Sequence, residues 1–320
     1  MSVQAKLDHI GLYTKDIERS MRWYYEILGF RVSDYLPPEN TEEPVAPDGI
    51  SWMRYSNLHH DLTFVQFPAE ALAAPQTTRP DNLQQFAFHL DSEDAVEAAY
   101  KAVVDAGVTI VSSLKRGPVL GVLQFYMAAP DGNKIEIFNT PDLPPRPIRS
   151  VESPGLVHVE FLSHIGIHTK DTQESIDWYE EMLGFRVSDR RGQNPLEPAL
   201  MAAVPNGIAW LSNSEEHHNL VLVQLPPDEI DEPLPYGGRG TLQQIALVVE
   251  SIDALLAAHE FLAAKGVKIV VPPRPQNWSG GMKFYFQDPD GVKIEISHGM
   301  KTVDLDYGFQ YEIAQRIAAS

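Results

Sequence analysis

The chain has 320 residues, of which 43% are hydrophobic, and its 25 Lys and Arg stand against 44 Asp and Glu for a net charge of −19. This much apolar material excludes a disordered chain, and the length suits about two domains. The acidic balance argues against nucleic acid and against anionic membrane surfaces, both of which need clustered Lys and Arg.

Residues 7–14 alternate polar and apolar as a strand does. Asp16 can cap a helix over IERSMRWYYEIL, which Gly29 ends. Strand-like FRVSDY, ISWMRYS and HDLTFVQF follow, then LQQFAFHL. A second helix reads over EDAVEAAYKAVVDA and stops at Gly107, before TIVSSL, VLQFYMAA and KIEIFN. The order is βαβββ, twice. The whole arrangement then recurs: residues 7–34 and 162–189 share 18 of 28 positions, and later landmarks keep step through small loop insertions. Four βαβββ units are therefore expected, paired into two barrel-like α+β modules with helices outside and a cavity inside. The modules are placed at 1–145 and 156–300, joined by a Pro-rich linker at 146–155. A C-terminal tail at 301–320 reads as a short helix. No run approaches the roughly 18 apolar residues of a spanning helix. The opening MSVQAKLDHIGLYT lacks a signal-peptide core, so a cytoplasmic protein is expected.

Strand alternation selects the side chains that can converge. His164, Gly166 and His168 share one face of their strand. Gln244 opposes the apolar face made by Ile245 and Leu247, and Glu295 is a lone carboxylate between Ile294 and Ile296. Such an acid costs several kcal/mol if buried unpaired, and a bound cation would remove that cost. The chain has no Cys, so a metal must use His, carboxylate or amide donors. The first half offers the matching set His9, Gln85 and Glu136. Trp52 and Trp210 fall on matching strands that place them either lining the cups or filling the core, with core favoured; Trp23, Tyr24, Trp178 and Tyr179 read as helix packing, and Gly237-Gly238 and Gly280-Gly281 as mobile loops near a cup mouth.

The pattern HIGLYTKDIERSMRWYYEILGF, closed later by GNKIEIF or GVKIEIS, resembles the vicinal oxygen chelate superfamily over residues 5–300. That superfamily includes glyoxalase I and the extradiol ring-cleavage dioxygenases, and four units in one chain are similar to the two-module type I extradiol enzymes. His217-His218-Asn219-Leu220 and His59-His60-Asp61-Leu62 resemble their His-His strand. Phe284-Tyr285 followed by Asp288-Pro289-Asp290-Gly291 and Glu295 matches the later part of their signature. The resemblance implies an α+β vicinal-oxygen-chelate fold. It also implies metal ligands His164, Gln244 and Glu295, an acid–base His218 and a substrate-contacting Tyr285, with the C-terminal half as the working one. The equivalent set in the N-terminal half is His9, Gln85, Glu136, His60 and Tyr126. It implies Fe(II), with Mn(II) as the other candidate, and an aromatic diol and O2 as small-molecule partners of a homo-oligomer.

The sequence departs from that pattern twice. Gln244 and Gln85 stand where the family has a His ligand, and the signature's earlier His is replaced by RPQNWSGGMKFY, where Asn277 is the nearest polar residue. An amide oxygen is a harder, weaker donor than imidazole and shifts preference toward Mn(II) or Mg(II). Gln66 and Gln224 lie near the fourth strand, where glyoxalase-type enzymes carry a further ligand. The ring-cleaving dioxygenase reading thus stands beside two others: a non-oxidative isomerase, epimerase or lyase of the same fold, and a metal-free protein that binds a small ligand.

Overall fold

The computed structural model describes residues 6–37, 48–67, 82–117, 121–139, 157–191, 206–229, 241–276 and 279–302. The linker at 146–155, the tail beyond 302, Asn277 and Gly237-Gly238 lie outside them. The first module runs β1 (Lys6–Thr14), α1 (Ile17–Leu28), β2 (Arg31–Leu36), β3 (Ile50–Arg54) and β4 (Leu62–Gln66). It continues with β5 (Leu83–His89), α2 (Glu93–Asp105), β6 (Ile110–Arg116), β7 (Leu123–Ala128) and β8 (Lys134–Asn139). The second module repeats this order. It runs β9 (Val159–Thr169), α3 (Thr172–Leu183), β10 (Arg186–Arg191), β11 (Ile208–Ser212) and β12 (Leu220–Gln224). Then come β13 (Leu242–Val249), α4 (Ile252–Ala264), β14 (Ile269–Pro275), β15 (Met282–Gln287) and β16 (Lys293–His298).

Local chemistry fixes the helix ends. The Asp16 and Asp171 carboxylates accept backbone N–H groups in the first turns of α1 and α3, and Ser92 and Ser251 do the same for α2 and α4. Gly29 and Gly184 end α1 and α3 in the left-handed conformation, at φ 73° and 68°. Each module forms one eight-stranded mixed sheet of order β2-β3-β4-β1-β5-β8-β7-β6, or the equivalent in β9 to β16. The antiparallel pairs β1 with β5 and β9 with β13 therefore weld two βαβββ units into each sheet.

One large apolar core fills the space between sheets and helices and draws on both modules. Tyr24, Phe30, Phe64, Tyr179 and Phe185 belong to it, and Phe88 meets Phe185 edge to face at 5.8 Å. The helices lie outside the cups, as expected, and α1 and α3 each reach the opposite module along one edge while Glu18, Arg22, Glu174 and Glu180 stay exposed. The two Pro-Asp-Gly turns make this junction. Asp290 accepts Thr14 Oγ1 at 2.6 Å and Ser20 Oγ at 3.0 Å, and pairs with Arg19. At the pseudo-equivalent corner, Asp131 accepts Ser175 Oγ at 2.6 Å and Lys170 N at 2.8 Å.

The corners differ at one position. The fully buried Tyr24 donates to Asp288 Oδ2 at 3.1 Å. The second corner has Ala129 where the first has Asp288, and the Tyr179 hydroxyl is buried with no hydrogen-bond partner among the described residues. Leaving a buried donor unmade costs about 1–3 kcal/mol. Tyr179→Phe is thus expected to raise the unfolding free energy by up to about 1 kcal/mol, and Tyr24→Phe to lower it by about 1 kcal/mol. Urea denaturation of the two variants checks the opposite signs.

Two expectations change. Trp210 is buried, but it packs with Ile208, Val221 and Val223 in a small cluster separate from the main core; Trp52 is half-buried beside His59. Both sit on strand faces turned away from the helices, because alternation alone cannot tell the two apolar sides of a sheet apart. Gly280 and Gly281 form a tight turn. A Cβ on Gly281 would lie 2.0 Å from the His298 carbonyl oxygen, and Gln276 and Lys301 bond this segment in place. Close backbone packing, not a loop function, accounts for the glycines.

Candidate metal centre

The inward face of the C-terminal sheet gathers the predicted residues. His164 lies on β9, Gln244 on β13, Glu295 on β16 and Tyr285 on β15, and the register pairs Ala246 with both His164 and Glu295, and Tyr285 with Glu295. Gln244 Nε2 lies 3.0 Å from His164 Nε2 and donates to Glu295 Oε2 at 2.9 Å, and His164 Nε2 is 3.7 Å from the same oxygen. Three donor groups from three strands thus meet within one hydrogen-bonding distance of a common point. His218 is buried, and its ring centre is 4.2 Å from that of His164. Its Nδ1 is 3.0 Å from His217 Nδ1.

A β-bulge aims the amide. The pairing of β13 with β9 shifts between Leu242 and Gln244, opposite Gly166, so Gln243 and Gln244 both project over this glycine. A Cβ on Gly166 would lie 2.3 Å from Gln243 Oε1 and 2.9 Å from Gln244 Cγ. The glycine is therefore part of the site: any side chain there would evict the amides. Gly11 opposite Gln84 and Gln85 repeats the device. The alternation of His164 and Gly166 on one face was visible in the sequence, but the bulge was not.

The N-terminal cup holds the same set at closer range. His9 Nε2 is 3.3 Å from Glu136 Oε2, Gln85 Nε2 donates to that oxygen at 2.5 Å, and the His60 ring centre is 4.2 Å from that of His9. Asp8 Oδ1 holds His9 Nδ1 at 2.9 Å, and Asp34 holds His59 Nε2 at 2.8 Å. In the other cup Ser163 stands between His164 Nδ1 and Glu216, at 3.3 and 3.0 Å. Either arrangement leaves the inward Nε2 as the ligating nitrogen. Gln124 Nε2 donates to Tyr126 at 3.0 Å.

Electrostatics separates the cups. The sequence reading missed Lys283, two residues before Tyr285 and hence on the same strand face, a position that alternation could have flagged. Its ammonium lies 3.8 Å from Glu295 Oε2 and 5.2 Å from the centre of the Tyr285 ring. Burial alone would push the Glu295 carboxyl up, but Lys283, His164 and Tyr285 outweigh it and hold it down at about 2. Glu295 is thus not stranded among isoleucines; it is an ionised, well-satisfied carboxylate. Burial lowers the His218 imidazole well below its ordinary value, helped by His164, His217 and Lys283, so it stays neutral at neutral pH. Burial raises the Tyr285 phenol, as does Glu295, so it keeps its proton. Burial would lower His9, but Asp8 and Glu136 outweigh it and raise it to about 9.

Among the described residues no cluster of three or more His, Cys, Asp or Glu side chains is arranged to hold a metal ion; each set needs its glutamine as third donor. Gln66 and Gln224 are engaged elsewhere: their side-chain oxygens accept Ile17 N and Thr172 N at the starts of α1 and α3. No helix among the described residues is long and apolar enough to cross a membrane.

The chain belongs to the glyoxalase/bleomycin resistance protein/dioxygenase superfamily, whose family model matches residues 6–137 and again 161–296. An iron-dependent extradiol dioxygenase of Rhodococcus jostii (strain RHA1) is 30% identical over 135 residues, which cover 41% of this chain and 41% of that protein. That match thus spans about two-fifths of the relative's length. The fold is that of the Mn(II)-bound glyoxalase from Novosphingobium aromaticivorans (TM-score 0.70, 20% identity, 96% of this chain and 86% of that one). It is equally that of the 2,3-dioxygenase LapB from Pseudomonas sp. KL28 (TM-score 0.70, 17% identity, 94% of each chain).

Proposed function

We propose that the chain is a metal-dependent, extradiol-type ring-cleaving dioxygenase that acts on a catechol-like vicinal diol in its C-terminal cup. The observation that carries this reading is the convergence of His164, Gln244 and Glu295 in one buried cup beside His218. The donor chemistry fits a divalent ion: one imidazole, one carboxylate and one amide. Gln244 would turn its amide over to present Oε1 in place of Nε2, an exchange that keeps its shape. Fe(II) is favoured by the named activity of the Rhodococcus relative, Mn(II) by the amide donor. When bound, the ion would supply Lewis acidity toward two adjacent substrate oxygens.

The remaining roles belong to the chain itself. His218 is neutral and buried, so its imidazole can take a proton from a diol hydroxyl and return it later. The Tyr285 hydroxyl stays protonated and can donate to a substrate oxygen. Trp210, Ile208, Val221 and Val223 make an apolar wall on the same side of the sheet, suited to an aromatic ring and to the exclusion of water. Protein loaded anaerobically with Fe(II) is expected to turn a catechol panel yellow on admission of air, with matching O2 uptake. Stoichiometric iron without turnover of any catechol would overturn the reading. A non-oxidative isomerase of the same fold is favoured by one observation, the glutamine in both donor sets; turnover of a vicinal-oxygen substrate without O2, in Mn(II), would mark it.

A further inference from the structure

The two cups match position for position along their inward faces, so their differences are informative. The clearest is on the seventh strand of each module, where β15 carries Lys283 and β7 carries Gln124, each paired with the residue two after its closing-strand glutamate. Lys283 is only 7% exposed. Its ammonium is fixed on the cup side by Glu295 at 3.8 Å and by the Tyr285 ring face at 5.2 Å, and the Lys293 ammonium lies 5.5 Å from the centre of the same ring. The N-terminal cup has a lysine only at the second of these places, Lys134 over Tyr126, and adds the Asp8 carboxylate on His9.

Counting fixed charges shows what each cup can receive. In the C-terminal cup Lys283 and Lys293 balance Glu295 and the nearby Glu216, so a divalent ion would leave two positive charges in a buried space. In the N-terminal cup Glu136 and Asp8 outweigh Lys134, so the same ion would leave only one. Uncompensated buried charge is costly, so the C-terminal cup calls for a ligand that brings two negative charges. One ionised oxygen of a chelating pair supplies the first. A carboxylate supplies the second, and the short distance from Lys283 to Glu295 demands that it lie next to the oxygen pair rather than across the ring.

We infer that the C-terminal cup selects vicinal-oxygen compounds bearing a carboxylate adjacent to the oxygen pair, and that Lys283 is the specificity residue that pairs with this carboxylate. The inference rests on the metal-site reading above for its charge count, but Lys283 can be tested apart from it. Calorimetric titration of the full chain, Mn(II)-loaded and metal-free, would compare 2,3-dihydroxybenzoate, 3,4-dihydroxybenzoate and catechol. The adjacent carboxylate of the first is expected to give about tenfold tighter binding than either of the others. Lys283→Gln installs the residue that the other cup carries. It is expected to lower 2,3-dihydroxybenzoate affinity about tenfold more than catechol affinity, so that the preference disappears, and Lys283→Arg, which keeps the charge, is expected to retain it. Equal affinities for the three compounds in the wild-type chain would overturn the inference without recourse to any variant, and so would equal losses for all three in Lys283→Gln. Failure to bind Mn(II) would count against the metal reading alone: a preference in the metal-free chain that Lys283→Gln removes would still uphold the role of Lys283.

Discussion

Asp290→Ala is expected to lower the unfolding free energy by about 3 kcal/mol, among the largest effects of any single change outside the cups. The Asp290 side chain is 2% exposed and serves three groups of the other module, Thr14, Ser20 and Arg19. Arg19 is 43% exposed, so its share is screened and small. The cost comes from Thr14 and Ser20, both fully buried, whose hydroxyls would lose their charged acceptor and keep their mutual bond of 2.7 Å and, at Thr14, longer 3.2 Å bonds with the Asp16 backbone. Losing bonds to a charged acceptor costs more than losing neutral ones. Asp131→Ala should cost a similar amount, since Ser175 and Lys170 lose the matching acceptor across the pseudo-twofold. Urea denaturation should show a lower midpoint with an unchanged slope. A loss below about 1 kcal/mol would mean that the shared apolar core alone holds the modules together.

Glu295→Gln is expected to weaken divalent metal binding in the C-terminal cup, and with it turnover, by at least about a hundredfold. The substitution keeps the shape but removes the charge, and it leaves the buried Lys283 ammonium without its nearest carboxylate. Loss of one partner of a buried pair costs about 3 kcal/mol, so the variant should also melt earlier than the wild type. Lys283→Gln in the same background should return part of that stability, because the orphaned charge goes with it. Glu136→Gln should leave turnover in the C-terminal cup within about threefold, and a larger loss would show that the two modules do not work separately.

The sequence carried most of the fold. The 18 matching positions in the first strand and helix of each half define the repeat, and the caps Asp16, Asp171, Gly29 and Gly184 fall where the helices end. The candidate site was legible as residue types: His164, Glu295 and Tyr285 reach one cup because period-two alternation fixes the face of each strand, whereas the bulge aims Gln244 and His218 lies in the segment just before β12. What alternation could not give was anything across the module junction. Tyr24 and Asp288 are 264 residues apart, and nothing local in either marks the bond. The bulge opposite Gly166 was equally hidden, because an extra residue in one strand shows only against its partner. Lys283 was readable by position, but a search for His and carboxylate ligands passes over an ammonium. Because of Lys283, Glu295 has cationic company before any metal arrives, so the burial cost of the acid is a weaker reason for a metal than the convergence of donors.

The central claim is that His164, Gln244 and Glu295 hold a divalent ion. It is tested most directly by metal content per chain after anaerobic Fe(II) loading and desalting, compared among wild type, Glu295→Ala and Glu136→Ala. The account predicts bound iron in the wild type that Glu295→Ala loses from the C-terminal cup while Glu136→Ala retains it there. Iron retained in full by Glu295→Ala, or no iron and no Mn(II) in the folded wild-type chain, would contradict it.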